Sequence, residues 1–197
     1  MDAFTVHQGR AVPLNRSDVD TDQIIPSDWL KRVERTGFGA GLFAEWRREP
    51  GFVLDRPEYA GATVLVAGEN FGTGSSREHA VWALQDHGFR AVISPRFGDI
   101  FRANAYQAGL LPIVADGADV AALMAAVEER PTTAVTVDLV SREVRYGGCV
   151  VRFAIDDYSR DRLLAGLDDI ALTLQHGDDI SAYERDRRSW LPTLTSG

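Results

Sequence analysis

Residues 62–113 alternate short apolar runs with helical patterns, an order that very few folds can accommodate. The runs at 63–67 (TVLVA), 91–94 (AVIS) and 110–114 (LLPIV) are short and apolar and read as strands. Between the first two, a helix from about 77 to 87 places Ala80, Val81, Ala83 and Leu84 on one face and stops at Gly88. A second helix, from about 98 to 107, stops at Gly109. Strand–helix–strand–helix–strand needs helical crossovers, so this part of the sheet is expected to be parallel.

The flanking regions read differently. Residues 4–12 form an opening strand ended by Pro13, and Asp20-Thr21-Asp22 precedes Ile24-Ile25, closed by Pro26. Residues 28–50 mix short helical pieces with Gly37, Gly39 and Gly41 and two aromatic anchors, Trp29 and Trp46. A connection that long in a compact domain is often functional. After a helix at about 117–128, residues 134–140, 143–146 and 149–155 alternate as hairpin strands, turning at Ser141-Arg142 and Gly147-Gly148. Helices near 158–165, 168–174 and 177–189 end the chain. No repeat, low-complexity segment or linker interrupts it. The expected fold is therefore α/β: one domain over 1–197, with a mixed, barrel-like sheet and flanking helices over about 1–156 and a helical extension over about 157–197.

Composition narrows the function. A net charge of −8 argues against a nucleic-acid or anionic-membrane surface. No apolar run approaches the roughly 18 residues of a membrane span, and the N-terminus does not read as a signal peptide, so the cytoplasm is the expected location. Cys149 is the only cysteine, which rules out a disulfide framework and a thiolate-held zinc or iron–sulfur site within this chain. The four histidines, His7, His79, His87 and His176, form no metal-binding pair. No metal is expected on this chain.

The chemistry concentrates at 70–80 (NFGTGSSREHA), between the first apolar run and its helix. Gly72 and Gly74 let the backbone bend where a Cβ would clash. Beyond them a helix start offers unpaired N–H groups, Ser75 and Ser76 offer hydroxyls, and Arg77 offers a planar fork of donors. That is a plausible carboxylate site with a proton acceptor beside it. A Walker loop would need Gly-Lys-Ser/Thr, a dinucleotide fingerprint a third glycine, and a nucleophile elbow a serine midway between two glycines four apart; none is present. The same residues also suit a plain glycine turn with a serine N-cap.

The run at 74–79 (GSSREH), preceded by 20–26 (DTDQIIP) and followed by 94–101 (SPRFGDIF), Asn104 and 109–112 (GLLP), resembles the swivel domain of the aconitase superfamily, in the family's order and over most of the chain. As a free-standing chain of this length it is similar to the family of small subunits of bacterial 3-isopropylmalate dehydratase. The resemblance implies a swivelling β/β/α domain and a hydro-lyase that isomerises a hydroxy acid by dehydration and rehydration, in leucine biosynthesis. It implies a 4Fe–4S cluster held by the large subunit and acting as Lewis acid on the leaving hydroxyl. Activity would then require that heteromeric partner. A related subunit, of homoaconitase or dimethylmalate dehydratase type, or a non-catalytic anion-binding module with the same fold, stays open as an alternative.

By the same resemblance Ser75 is the base. Its alkoxide is costly at neutral pH and needs helix-start N–H groups and nearby positive charge. Arg77 would clamp a substrate carboxylate bidentately, Ser76 would add a hydrogen bond, Gly74 and Thr21 would line the pocket, and Asp22 would orient base or substrate. Leu30, Lys31, Arg32, Val33, Arg35 and Thr36 form the loop that meets the variable substrate group. Leu30 and Val33 suit an isopropyl group, whereas Arg32 and Arg35 suit a further carboxylate. Structural roles compete with several of these. Ser76 would cap the helix, Asp22 would brace the Ile24-Ile25 turn, His79 would pack in the core, and Glu78 with Arg102 would form an ion pair.

Overall fold

The computed structural model describes residues 1–31, 36–188 and 190. Its centre is a seven-stranded mixed sheet in the order β4-β3-β2-β1-β5-β6-β7. Strands β2 (Val64–Ala67), β3 (Ala91–Ser94) and β4 (Leu111–Val114) continue in parallel from β1 (Val6–Leu14), while β5 (Ala134–Asp138), β6 (Glu143–Tyr146) and β7 (Cys149–Arg152) run antiparallel to their neighbours. All residues of β2 and β3 are buried, as strands covered on both faces must be. β5 and β6 instead alternate buried with partly exposed positions, leaving one face to solvent.

Strand β1 joins the two halves. Its first half, Val6 to Arg10, pairs with β5, and its second half, Ala11 to Leu14, pairs with β2. Pro13, read above as the end of the strand, lies inside it. β5 has dropped away by Ala11, so the missing N–H falls where β1 has a neighbour on one side only, a position that tolerates proline.

Seven α-helices are described: α1 (Thr21–Ile24), α2 (Glu78–His87), α3 (Asp99–Ala108), α4 (Gly117–Glu129), α5 (Asp157–Ala165), α6 (Asp169–Leu174) and α7 (Gly177–Arg185). α2 and α3 are the two crossovers and pack on each other, with Ala80, Val81, Ala83 and Leu84 of α2 buried as the pattern predicts. α4 lies across β1, β2 and β3. Among the described residues, the long connection between α1 and β2 carries a series of short 3-10 turns. It is anchored by Trp46 stacked on Phe43 at 5.3 Å and by Trp29 packed against Gly41. The hairpin strands are shorter than predicted, ending at Asp138 and Arg152, and α7 ends at Arg185. The N-caps of α5 and α6, Asp156 and Asp168, accept from the backbone N–H groups of Ser159 and Ala171. These bonds hold both carboxyls below their ordinary value.

The loops that leave β2 and β3 are laid against each other. Phe71 donates its N–H to the Arg96 carbonyl, Gly98 donates to the Phe71 carbonyl, and the rings of Phe71, Phe97 and Phe101 pack beneath. The contact is backbone on backbone: a Cβ on Gly98 would lie 2.3 Å from the Gly72 carbonyl oxygen. Gly98→Ala is therefore expected to cost about 2–3 kcal/mol, lowering the melting temperature by about 5–10 °C. Gly117→Ala, where a Cβ meets nothing within 4 Å, should leave it unchanged in the same thermal melt.

Candidate functional site

The loop after β2 meets the loop after β1 at the carboxyl ends of the parallel strands, where ligand sites in open α/β sheets usually form. Val19 accepts backbone hydrogen bonds from Gly72 (2.7 Å) and Thr73 (3.2 Å), and Thr21 donates its N–H to the Thr73 carbonyl at 2.9 Å. These bonds fix the 70–77 turn against 19–22. Gly74 takes a φ of +90°, and a Cβ there would lie 3.5 Å from Asp20 Cβ and 3.7 Å from Thr21 Oγ1. A positive φ lets the turn fold over the start of α1 and lift the next residues outward.

Asp20, not Asp22, closes the start of α1. Its carboxylate accepts from the Gln23 N–H at 2.8 Å, while Gln23 Oε1 accepts from the Asp20 N–H at 2.9 Å. This reciprocal capping box was legible as an Asp followed three residues later by Gln, and the sequence reading passed over it. With the cap in place Thr21 becomes the first helical residue and is buried, and Asp22 faces out.

Gly74, Ser75 and Ser76 are exposed. Ser75 is thus at the surface, where a proton abstractor must be if substrate is to reach it. From below, Thr21 Oγ1 lies 3.1 Å from the Ser75 carbonyl oxygen and 3.3 Å from Ser75 Oγ. Arg77 stands beside it, its side chain only 18% exposed, with Nη1 hydrogen-bonded to Asp22 Oδ1. Of the two residues flanking the turn, Thr21 reaches Ser75 and Asp22 reaches Arg77.

Two structural expectations are corrected. Ser76 does not cap α2: the N-cap residue is Arg77, whose side chain makes no capping bond, and the helix begins at Glu78. Neither serine hydroxyl is spent on capping the helix start. Arg102 pairs with Asp99 at 3.6 Å, one helical turn away, rather than with Glu78. His79 packs against the rings of Phe38 (5.2 Å) and Trp82 (4.7 Å), as expected for a core-facing histidine.

The substrate loop is described only at its ends. Leu30 is half-buried, Lys31 is exposed and pairs with Asp28 at 3.3 Å, and Thr36 is exposed. Arg32, Val33 and Arg35 lie outside the described residues. Cys149 is exposed and free at the start of β7, beyond the turn from β6. Among the described residues no group of three His, Cys, Asp or Glu side chains is arranged to hold a metal ion, and no helix is long and apolar enough to cross a membrane.

Comparison with known proteins adds to this geometry. The family model for the aconitase C-terminal domain matches residues 1–117, the stretch that builds the parallel half of the sheet and the turn over α1. A second family model, for the C-terminal domain of 3-isopropylmalate dehydratase small subunits, matches residues 169–196. The 3-isopropylmalate dehydratase small subunit of Parafrankia sp. (strain EAN1pec) is 67% identical over 193 residues, covering 98% of this chain and 99% of that protein. That of Acidothermus cellulolyticus is also 67% identical over 193 residues, 98% of each. The crystal structure of 3-isopropylmalate dehydratase from Methanocaldococcus jannaschii matches with a TM-score of 0.67 and 30% identity, over 91% of this chain and 99% of that one.

Proposed function

The chain belongs to the small subunits of 3-isopropylmalate dehydratase, in the aconitase family, and from that premise we propose that its exposed turn supplies the proton-abstracting half of the active site. The enzyme is a hydro-lyase of leucine biosynthesis. It interconverts 2-isopropylmalate and 3-isopropylmalate by dehydration to 2-isopropylmaleate and rehydration.

Ser75, once it has given its own proton to solvent, takes the proton from the carbon beside a substrate carboxylate. The C–H bond breaks, an O–H bond forms on the Ser75 alkoxide oxygen, and the electron pair left on carbon forms the double bond as the substrate hydroxyl leaves as hydroxide. Arg77 holds the carboxylate, since Asp22 engages Nη1 and leaves the rest of the guanidinium fork for a ligand. Ser76, exposed and unused as a cap, adds a hydrogen bond to substrate. Leu30, at the described edge of the specificity loop, faces the isopropyl group. The observation that carries this reading is Ser75 itself: an exposed serine whose hydroxyl is tied from the protein side by a buried threonine, with an arginine beside it.

A four-iron cluster requires about three or four thiolate ligands. One exposed cysteine does not fit it, so the cluster is assigned to the large subunit. That larger partner would complete the pocket over the 70–77 turn, and the assembly would work in the cytoplasm.

The test is reconstitution with the large subunit and assay against isopropylmalate, homoaconitate and dimethylmalate. Turnover confined to isopropylmalate, with none from either chain alone, is the expected result. Turnover by this chain alone, or a preference for one of the other acids, would overturn the reading.

A further inference from the structure

We infer that Thr21 is a positioning residue for Ser75, a single buried hydroxyl that serves two oxygens of that residue in turn. This rests on the reading of Ser75 as base and gives Thr21 a role other than contact with substrate.

The geometry allows both bonds and only one hydrogen to make them. Thr21 Oγ1 is 3.1 Å from the Ser75 carbonyl and 3.3 Å from Ser75 Oγ, and a threonine hydroxyl donates once. While Ser75 keeps its hydrogen, Thr21 donates to the carbonyl and accepts from the Ser75 hydroxyl. When Ser75 gives its proton to solvent, to which the side chain is open, its oxygen becomes an acceptor only. The Thr21 O–H then rotates from the carbonyl to Ser75 Oγ. Once that oxygen has taken the carbon-bound proton from substrate, Thr21 turns back.

The surroundings suit the task. Thr21 is 2% exposed, so its bonds form where water competes little. Its backbone is held at both ends, by its N–H on the Thr73 carbonyl and by its own carbonyl accepting from Ile25. The capping box fixes the turn of helix on which it sits. Burial also places Thr21 on the far side of Ser75 from solvent, the side from which substrate arrives.

The experiment compares Thr21→Val, Thr21→Ala and Thr21→Ser with Ser75→Ala in the reconstituted two-subunit enzyme. Loss of the one donor to the Ser75 alkoxide should move the ascending limb of the kcat–pH profile up by about one pH unit and cost about tenfold in kcat on that limb, the same free energy. KM should stay within about twofold, because an interaction absent from the ground state leaves substrate binding alone. Thr21→Ser should restore both kcat and the profile. Thr21→Ala removes the same donor without a second methyl and carries the test if the Val variant does not fold. Activity and pH profile unchanged in Thr21→Val or Thr21→Ala, or a raised KM at unchanged kcat, would overturn the inference while leaving Ser75 as base. An active Ser75→Ala enzyme would remove the reading on which it rests.

Discussion

Ser75→Ala, reconstituted with the large subunit, is expected to lose about three to four orders of magnitude in kcat while its melting temperature and its assembly with the partner stay at wild-type values. The two halves of that expectation come from different facts. Ser75 is exposed and its φ is not positive, so its side chain fills no core volume and alanine suits the position. In the proposed mechanism its oxygen is the group that accepts the proton, and alanine supplies none. Ser76, one residue later on the same exposed turn, has no hydrogen bond to Thr21, whose hydroxyl reaches Ser75 alone of the two serines. The measurement is steady-state turnover of isopropylmalate with a parallel thermal melt and size-exclusion run. Activity within tenfold of wild type would reject Ser75 as the base.

Arg77→Lys should show the second-largest effect, and in a different parameter. Lysine keeps the charge but presents three donors at one point, whereas the fork of Arg77 engages Asp22 with one nitrogen and, in the proposed mechanism, meets substrate with others. A lysine that pairs with Asp22 cannot also meet a carboxylate in two places. The loss is about one charge-assisted hydrogen bond, some 1.5–3 kcal/mol, so KM should rise by about 10²-fold with kcat falling less. Because Arg77 makes no capping bond to α2, helix content by circular dichroism should not change. An unaltered KM would mean that the substrate carboxylate is held by the partner chain.

The parallel half of the fold was legible because short-range signals and tertiary packing agree there. The apolar runs, the buried face of α2 and the glycines that stop α2 and α3 each point to the same elements. Pro13 misled because the rule that ends strands at proline assumes neighbours on both sides, and only the pairing register reveals that β5 has left by Ala11. The serine cap misled for a related reason. Ser-Ser before a helical pattern satisfies the local signature, but the turn is held by the bonds from Gly72 and Thr73 to Val19 and by the φ of Gly74, and the helix starts only after Arg77. The turn that carries Ser75 and Arg77 was visible as a motif. Which of Thr21 and Asp22 serves which partner was not, because it depends on the Asp20–Gln23 cap turning one inward and the other out.

The pairing of β1 bears on how the molecule is made. Its second half finds β2 about fifty residues on, but its first half waits for β5, with Gln8 and Thr136 separated by 128 positions. A chain emerging from the ribosome can therefore assemble β1 to β4 and the turn carrying Ser75 while the leading residues of β1 still lack their partner. Contacts so far apart in sequence slow folding, and an unpaired strand edge invites association with other chains. Synthesis of the last third of the protein is thus what seals the edge left open at its beginning.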